Sequence, residues 1–306
     1  MKKLLVVNNY QEQCGIYQHG KRMAQALQGD TRFSVSYVEA DSAETFLRAV
    51  SENNPDYILY NWNTATLPWL TPAISYAINA KQLFFYHEFD LPHSFKYDAI
   101  VMANMSNAPD SKIYGLPRVT FEFDLTEIQK NEVTNIGSFG FGFENKGFER
   151  LCQRVSDEFE KAIINLHITA SFFGDPNGIL VKQITDRCIN MVDQSRISIN
   201  ITNHFISDKE MVEFLRKNDI NLFLYDYQEN RGLSSSIDYA VSAGRPFGVS
   251  NSSMFLHVLE RFPELNADEN SIMQIMQHGD YPSKYFKEQW SNKKLKQSMW
   301  NILEAV

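Results

Sequence analysis

Apolar positions along this chain switch repeatedly between two spacings. Leu4-Leu5-Val6-Val7 is a short uninterrupted apolar run, the pattern of a strand covered on both faces. Gly15–Leu27 then takes helical spacing, with Met23, Ala26 and Leu27 on one side. Phe33–Val38 alternates with period two, and Ser42–Ser51 is helical through Phe46, Leu47 and Val50. Strands are predicted at Tyr57–Tyr60, Leu83–Tyr86 and Ala99–Met102, with a helix over Pro68–Ala80. The rhythm falters between Asn107 and Val133, where Pro109, Gly115 and Pro117 precede the polar stretch Thr126–Asn131. A domain linker is expected there.

A second alternation follows. Strands are predicted at Asn135–Phe139, Ile163–Phe173, Ile197–Ile201, Ile220–Tyr225 and Pro246–Val249. Helices are predicted at Phe148–Phe159, Ile179–Val192, Ser235–Ala243 and Lys284–Leu303. Another helix opens at Ser207, three residues before Glu210, which is a capping-box spacing. The whole is an α/β pattern of two Rossmann-like halves, 1–125 and 126–284, each expected to carry a parallel sheet. Ligands of such sheets sit outside the carboxyl ends of the strands, so the loops there hold the candidate chemistry, and the cleft between two facing halves is the expected site.

Four loops stand out. "GSFGFGFENKGFE" (Gly137–Glu149) joins a strand to a helix, and Lys146-Gly147 stands at the helix entrance, where free N–H groups favour an anion. It fits neither GxGxxG nor GxxxxGK[ST]. "NRGLSSSIDYAVSAGRPFGVS" (Asn230–Ser250) sets Arg231, Gly232 and the serines Ser234, Ser235 and Ser236 at a helix start; it reads as a phosphate cradle or as an ordinary N-cap. "NNYQEQCGIYQHGKRM" puts Asn8, Asn9, Gly15, Tyr17 and His19 after the first strand, and "FFYHEFD" ends a strand at His87 and Glu88.

Composition narrows the picture. The 306 residues are 43% hydrophobic and 22% charged, enough for large cores. A net charge of -8 gives no general basic field for nucleic acid, so an anion needs a local site. Cys14, Cys152 and Cys188 make neither a disulfide framework nor a zinc pattern. The start "MKKLLVVNNY" has too short an apolar core for a signal peptide, and no apolar run spans a bilayer; a soluble cytoplasmic protein is expected. The basic tail "KYFKEQWSNKKLKQ" fits a solvated face and is also compatible with peripheral membrane contact. GxSxG, HExxH and Asp-x-Asp are absent; Glu88-Asp90 and Glu122-Asp124 come nearest the last, and no metal site is expected.

The second half resembles the retaining GT-B glycosyltransferases (glycosyltransferase group 1, family 4-like). "IGSFGFGFENKGFERL" is similar to their glycine-rich strand-to-helix segment. "GLSSSIDYAVSAGRPFGVSN" is similar to their donor segment, matching at Gly232, Ser234, Ser236, Ala240, Gly244 and Pro246. "CGIYQHGKRMAQAL", "YHEFD" and "DAIVMANMS" resemble the acceptor half, and the tail around Trp290 resembles a C-terminal helix (here 285–306) that crosses back to the first domain. The resemblance implies transfer of a sugar from a nucleotide-diphosphate sugar to a glycan, lipid-linked or small-molecule hydroxyl acceptor, without a metal or resident cofactor and with retention.

It implies catalytic roles for His87, Lys146 and Arg231. The nucleotide-sugar would be held by Gly137, Ser138, Phe139, Gly140, Lys146, Glu229, Arg231, Gly232, Leu233, Ser234, Ser235 and Asp238, and the acceptor by Gly15, Tyr17, His19 and Glu88. Two departures bear on this. The family's Glu-x7-Glu positions hold Arg231 and Tyr239, with Glu229 and Asp238 out of register, and Ser138 stands where the family has a loop arginine. A catalytically inactive GT-B-like nucleotide-sugar-binding or scaffold protein is therefore the alternative. A dinucleotide-dependent oxidoreductase would need GxGxxG after the first strand, which "NNYQEQCGIYQHG" lacks. Donor base, sugar, acceptor and oligomeric state stay open.

Overall fold

The computed structural model describes residues 1–12, 14–87, 94–103, 108–128, 130–229 and 231–306. It divides into two compact units, with the main division between Val119 and Thr120. Residues 231–233 and 289–306 group with the first unit, and 234–288 with the second.

In unit 1 the strands are β1 (Lys2–Asn8), β2 (Phe33–Glu39), β3 (Tyr57–Trp62), β4 (Lys81–Tyr86), β5 (Ala99–Ala103) and β6 (Ile113–Leu116). They form one parallel sheet in the order β2-β1-β3-β4-β5-β6. Its helices are α1 (Gly15–Leu27), α2 (Ala43–Asn53) and α3 (Pro72–Ala77). The apolar run of β1 is explained by burial on both faces. Leu4 and Val6 pack with Met23, Leu27, Leu59 and Phe85, while Leu5 and Val7 pack with Phe46, Ile58, Tyr60 and Phe84. Each fully buried side chain of this size contributes about 1.5–3 kcal/mol of transfer free energy.

The first face is closed by the last helix of the chain, which contributes Leu295, Met299, Ile302 and Leu303. The predicted single tail helix is in fact two. In unit 2, α10 (Tyr281–Gln289) ends before Trp290, and α11 (Asn292–Ala305) restarts after Ser291, whose extended backbone (φ -68°, ψ 149°) suits an N-cap. α11 packs on α1 and β6 in unit 1. The predicted helix over Pro68–Ala80 shrinks to α3 because Thr71 accepts from the Ile74 amide and Pro72 occupies the first turn. β6 was hidden in the expected linker: it is four residues long, contains Gly115, and adds to β5 with Ile100 opposite Ile113.

Unit 2 has β7 (Asn135–Phe141), β8 (Ala162–Thr169), β9 (Ile197–Thr202), β10 (Ile220–Phe223) and β11 (Phe247–Val249), a parallel sheet in the order β11-β10-β7-β8-β9. Helices α4 (Phe148–Glu158), α5 (Ile179–Met191), α6 (Asp208–Arg216) and α7 (Ser236–Ala243) follow β7, β8, β9 and β10 in turn, and α8 (Leu256–Leu259) and α9 (Ile272–Gln277) complete the unit. The Ser207/Glu210 capping box is present. Much of the segment before β7 is tied to α6 and the turn after it: Thr126 donates through N and Oγ1 to Glu213 (2.9 and 2.6 Å), and Asn131 Nδ2 donates to Asp219 (3.0 Å).

A row of asparagines crosses the sheet. Asn200 (β9) donates to Asn165 (β8), Asn165 donates to Asn218, and Asn218 donates to Asn221 (β10). β7 passes beneath this row at Gly137, and a Cβ there would overlap the amides of Asn218 and Asn221.

The cysteines at 14, 152 and 188 are free thiols. Among the described residues no helix is long and apolar enough to cross a membrane.

Candidate functional site

The strand order locates a site in each unit. In unit 2 the chain runs from β7 to β8 and β9 on one side, then crosses to β10 and β11 on the other, so the crossover point lies between β7 and β10. The loops that flank it open α4 and α7. In such sheets ligands bind at that crevice.

The four helices that follow β7–β10 differ at their N-termini. Asp175 is buried and accepts from the Ile179 and Val181 amides of α5 (2.8 and 3.0 Å). The Ser207 and Glu210 side chains close α6. α4 starts on Gly147 with no side-chain cap, and α7 starts on Ser235, whose own side chain caps nothing while Ser234 Oγ accepts from the Ser236 amide (3.3 Å). Beside the crossover point, the first amides of α4 and the Ser235 amide before α7 stay free among the described residues, each at the positive end of a helix dipole. Two carboxylates near α4, Glu144 and Glu149, are both held by Arg187 (2.7 and 2.8 Å), which offsets their opposition to an anion.

Lys146 sits in the turn before α4. Gly147 adopts φ +68°, and a Cβ on it would overlap the carbonyl of Leu224, so this position demands glycine twice over. The turn is also joined to the end of β10, where the Asp226 amide donates to the Asn145 carbonyl (3.0 Å). The Lys146 ammonium lies 3.9 Å from the centre of the Tyr225 ring. Among the described residues no carboxylate or hydrogen-bond acceptor takes it.

The serine cluster separates by role. Ser234 and Ser236 are buried, and their hydroxyls bond each other (2.8 Å). Ser235 is half-buried and is the residue whose amide and hydroxyl have no partner among the described residues. Asp238 is buried in the first turn of α7, and Glu229 is exposed. Arg231, Gly232 and Leu233 group with unit 1 rather than with Lys146 and Ser235. On β7, Gly137 faces the asparagine row, Ser138 is buried, and Phe139 packs edge-on against Phe223 (5.8 Å) and Tyr239 (5.1 Å). Gly140 lies beside the lysine: a Cβ there would be 3.9 Å from Lys146 Cδ.

Unit 1 has its crossover point between β1 and β3. Its polar core is built from Asn8 and Asn9 at the end of β1 and Asn61 in β3, all fully buried. Asn61 Nδ2 donates to Asn8 Oδ1 (2.8 Å) and to the Ile16 carbonyl (2.7 Å). Its Oδ1 is left to accept, so His87 Nε2 donates to it (2.7 Å). His87 is thereby the Nε2–H tautomer, with Nδ1 an acceptor. Desolvation and the positive charge of Arg118 hold its pKa down at about 3. His19 packs against His87 and Phe85 (ring centres 5.0 and 4.5 Å), and burial, His87, Arg118 and Arg22 hold it well below the ordinary value. Both rings are neutral at neutral pH.

Of the expected acceptor residues, Gly15 is exposed with open space around its α-carbon. Tyr17 is buried and donates to Glu39 (2.7 Å), and His19 is buried too. Glu88 lies outside the described residues. Sequence reasoning missed Asn61 and Tyr225. Asn61 carried a signal, since it is an asparagine inside the apolar strand "YILYNW"; Tyr225 is indistinguishable in sequence from the other apolar residues of its strand. Among the described residues no three His, Cys, Asp or Glu side chains are grouped to hold a metal ion.

No family model matches the sequence, and no curated protein matches it. Its fold matches solved glycosyltransferases over nearly the full length of both chains. Sucrose-phosphate synthase from Thermosynechococcus elongatus is 10% identical, with a TM-score of 0.69 over 99% of this chain and 98% of that one. HepE from Anabaena, solved with UDP and glucose, is 10% identical with a TM-score of 0.68 over 100% of both. A glycosyltransferase from Rickettsia africae is 11% identical with a TM-score of 0.66 over 99% and 98%. The chain has the GT-B glycosyltransferase fold.

Proposed function

We propose that this protein is a glycosyltransferase that takes a sugar from a nucleotide-diphosphate donor. Unit 2 holds the diphosphate and unit 1 serves the hydroxyl acceptor. One observation carries the reading: α4, the helix that follows β7 at the crossover point, starts without any side-chain cap, and Lys146, which no acceptor among the described residues takes, stands beside it. Transfer leaves a diphosphate whose negative charge must be stabilised as the glycosidic bond breaks. Lys146, the first amides of α4 and the Ser235 amide supply that positive potential without reorganising, and no metal is required of them. His87, neutral and fixed in one tautomer, offers Nδ1 as an acceptor for a sugar hydroxyl. Retention at the anomeric carbon is the stereochemical expectation.

A second reading has its own observation. Tyr239, at a position where the related donor segment has glutamate, donates to Asp208 and packs against Phe121 (4.6 Å) and Phe139, which is a structural role. A protein that binds a nucleotide-sugar without transferring it would share this arrangement.

The test is a thermal-shift and calorimetric screen of UDP-, GDP-, ADP- and CMP-sugars, with Lys146→Ala alongside wild type. A donor at a hundred times its Kd stabilises by about 2.7 kcal/mol. Removing a charge-assisted bond to phosphate costs about 1.5–3 kcal/mol of binding. Diphosphate donors that bind wild type and Lys146→Ala equally would overturn the site. Binding without release of free nucleotide diphosphate, across an acceptor panel, would favour the second reading.

A further inference from the structure

We infer that Tyr225 is the positioning residue for Lys146, a tyrosine ring serving where an acidic partner would ordinarily steady a lysine. The inference rests on the diphosphate site proposed above. A lysine used for an anion faces a conflict. Left alone, its four-carbon stem samples many rotamers and loses that freedom when the ligand arrives. Held by a carboxylate, it is steadied, but its charge is neutralised and its N–H donors are occupied. A ring face resolves the conflict, since it attracts the cation through its quadrupole without neutralising its charge and leaves the N–H groups that point away from the ring for the anion.

The surroundings of Tyr225 make its ring a fixed surface. It is 3% exposed, and Phe255 packs on it at 4.9 Å. Ser250 Oγ donates to its carbonyl (2.6 Å). Its two neighbours hold the lysine turn: Gly147 lies on the Leu224 carbonyl, and the Asp226 amide bonds Asn145. Gly140 lines the place where the two side chains meet, since a Cβ there would be 3.8 Å from Tyr225 Oη and 3.9 Å from Lys146 Cδ. The backbone that carries Lys146 and the ring that carries its charge are thus parts of one assembly, within unit 2 alone.

The experiment measures inorganic pyrophosphate binding to the full chain by calorimetry, for wild type, Tyr225→Leu, Tyr225→Phe, Lys146→Ala and the Tyr225→Leu/Lys146→Ala double variant. Tyr225→Leu should weaken binding about five- to tenfold, and Tyr225→Phe, which keeps the ring face, should stay within about twofold of wild type. The double variant should bind no more weakly than Lys146→Ala, because a residue acting through Lys146 has nothing left to act on. A ring that merely supports the fold would instead give additive losses, and that result overturns the inference. So does a Tyr225→Leu affinity equal to wild type while Lys146→Ala is weakened. If Lys146→Ala binds like wild type, the diphosphate site itself fails and the inference with it.

Should Tyr225→Leu not fold, NMR of wild type with 13C-labelled lysine decides. The Lys146 ε-methylene, identified by Lys146→Arg, should be shifted upfield by the ring and should respond to pyrophosphate. A signal at the position of an exposed lysine would overturn the assignment.

Discussion

Three histidines make the folded protein sensitive to mild acid. His87 is held at about 3 by desolvation and Arg118, and His167 at about 4 by burial and then by His204. His19 is held well below its ordinary value, chiefly by burial and then by His87, Arg118 and Arg22. In the unfolded chain each returns to about 6.5. The sign follows: the unfolded state binds protons that the folded state refuses, so stability is complete above pH 6.5 and falls as the pH drops towards the folded pKa values. At pH 5 His87 and His167 each cost about 2 kcal/mol, because both folded values lie below that pH, and His19 acts in the same direction. That is about 2 kcal/mol from His167 in unit 2 and about 2 kcal/mol from His87 in unit 1, with His19 adding to the latter, against a total of about 5–15 kcal/mol for a typical domain. The carboxylates with lowered pKa, among them Asp30, Glu210 and Glu213, begin to matter only nearer pH 4, so the window from 6.5 to 5 belongs to the histidines. Urea unfolding at pH 7.5, 6.5, 5.5 and 5.0 reads the effect, and His167→Gln should remove about 2 kcal/mol of the pH dependence of unit 2. A midpoint that stays constant from pH 7.5 to 5.0 would refute the claim that these rings are kept neutral by their surroundings.

Two glycine variants separate seat from scaffold. Gly147→Ala must leave φ +68° or push against the Leu224 carbonyl; it should cost at least about 1–2 kcal/mol of stability, read by denaturant unfolding, and weaken pyrophosphate by displacing Lys146. Gly137→Ala presses on the Asn218 and Asn221 amides instead; it should destabilise by about 1–3 kcal/mol while pyrophosphate affinity, measured below the unfolding midpoint, stays at the wild-type value.

The fold was largely legible because both sheets are parallel and covered on both faces. Their strands must be short apolar runs, and their helices must show an apolar stripe, so Leu4–Val7 and Gly15–Leu27 announce themselves. What escaped was short or conditional on distant packing. β6 exists because an edge of the sheet accepts it, and the break at Ser291 is a local capping choice inside a continuous helical pattern. The site was legible as loops but not as roles. Gly137, Gly140 and Gly147 are alike in one glycine-rich loop; in space the first lies under asparagines, the second lies beside the lysine and the third rests on a carbonyl. The serines at 234–236 are equivalent in sequence, and two of them are consumed by bonding each other. Tyr225 could not be found from sequence, since its significance lies in a lysine 79 positions earlier.

The glycine-rich loop and the serine segment are often read as a single signal, that of a chain approaching a phosphate. Here they divide the work. Gly147 fixes the backbone, Lys146 supplies charge, and Ser235 presents a free amide before α7, where Asp175 takes the first amides of α5 and the Ser207–Glu210 capping box closes α6. That contrast also explains why the absence of the Glu-x7-Glu pair is compatible with a retained diphosphate seat. The positions that hold the diphosphate in this reading are set by strand order and helix ends, whereas Tyr239, one of the two changed positions, packs from α7 against Phe121 and Phe139. A donor screen should find the nucleotide diphosphate bound more generally than any one sugar attached to it.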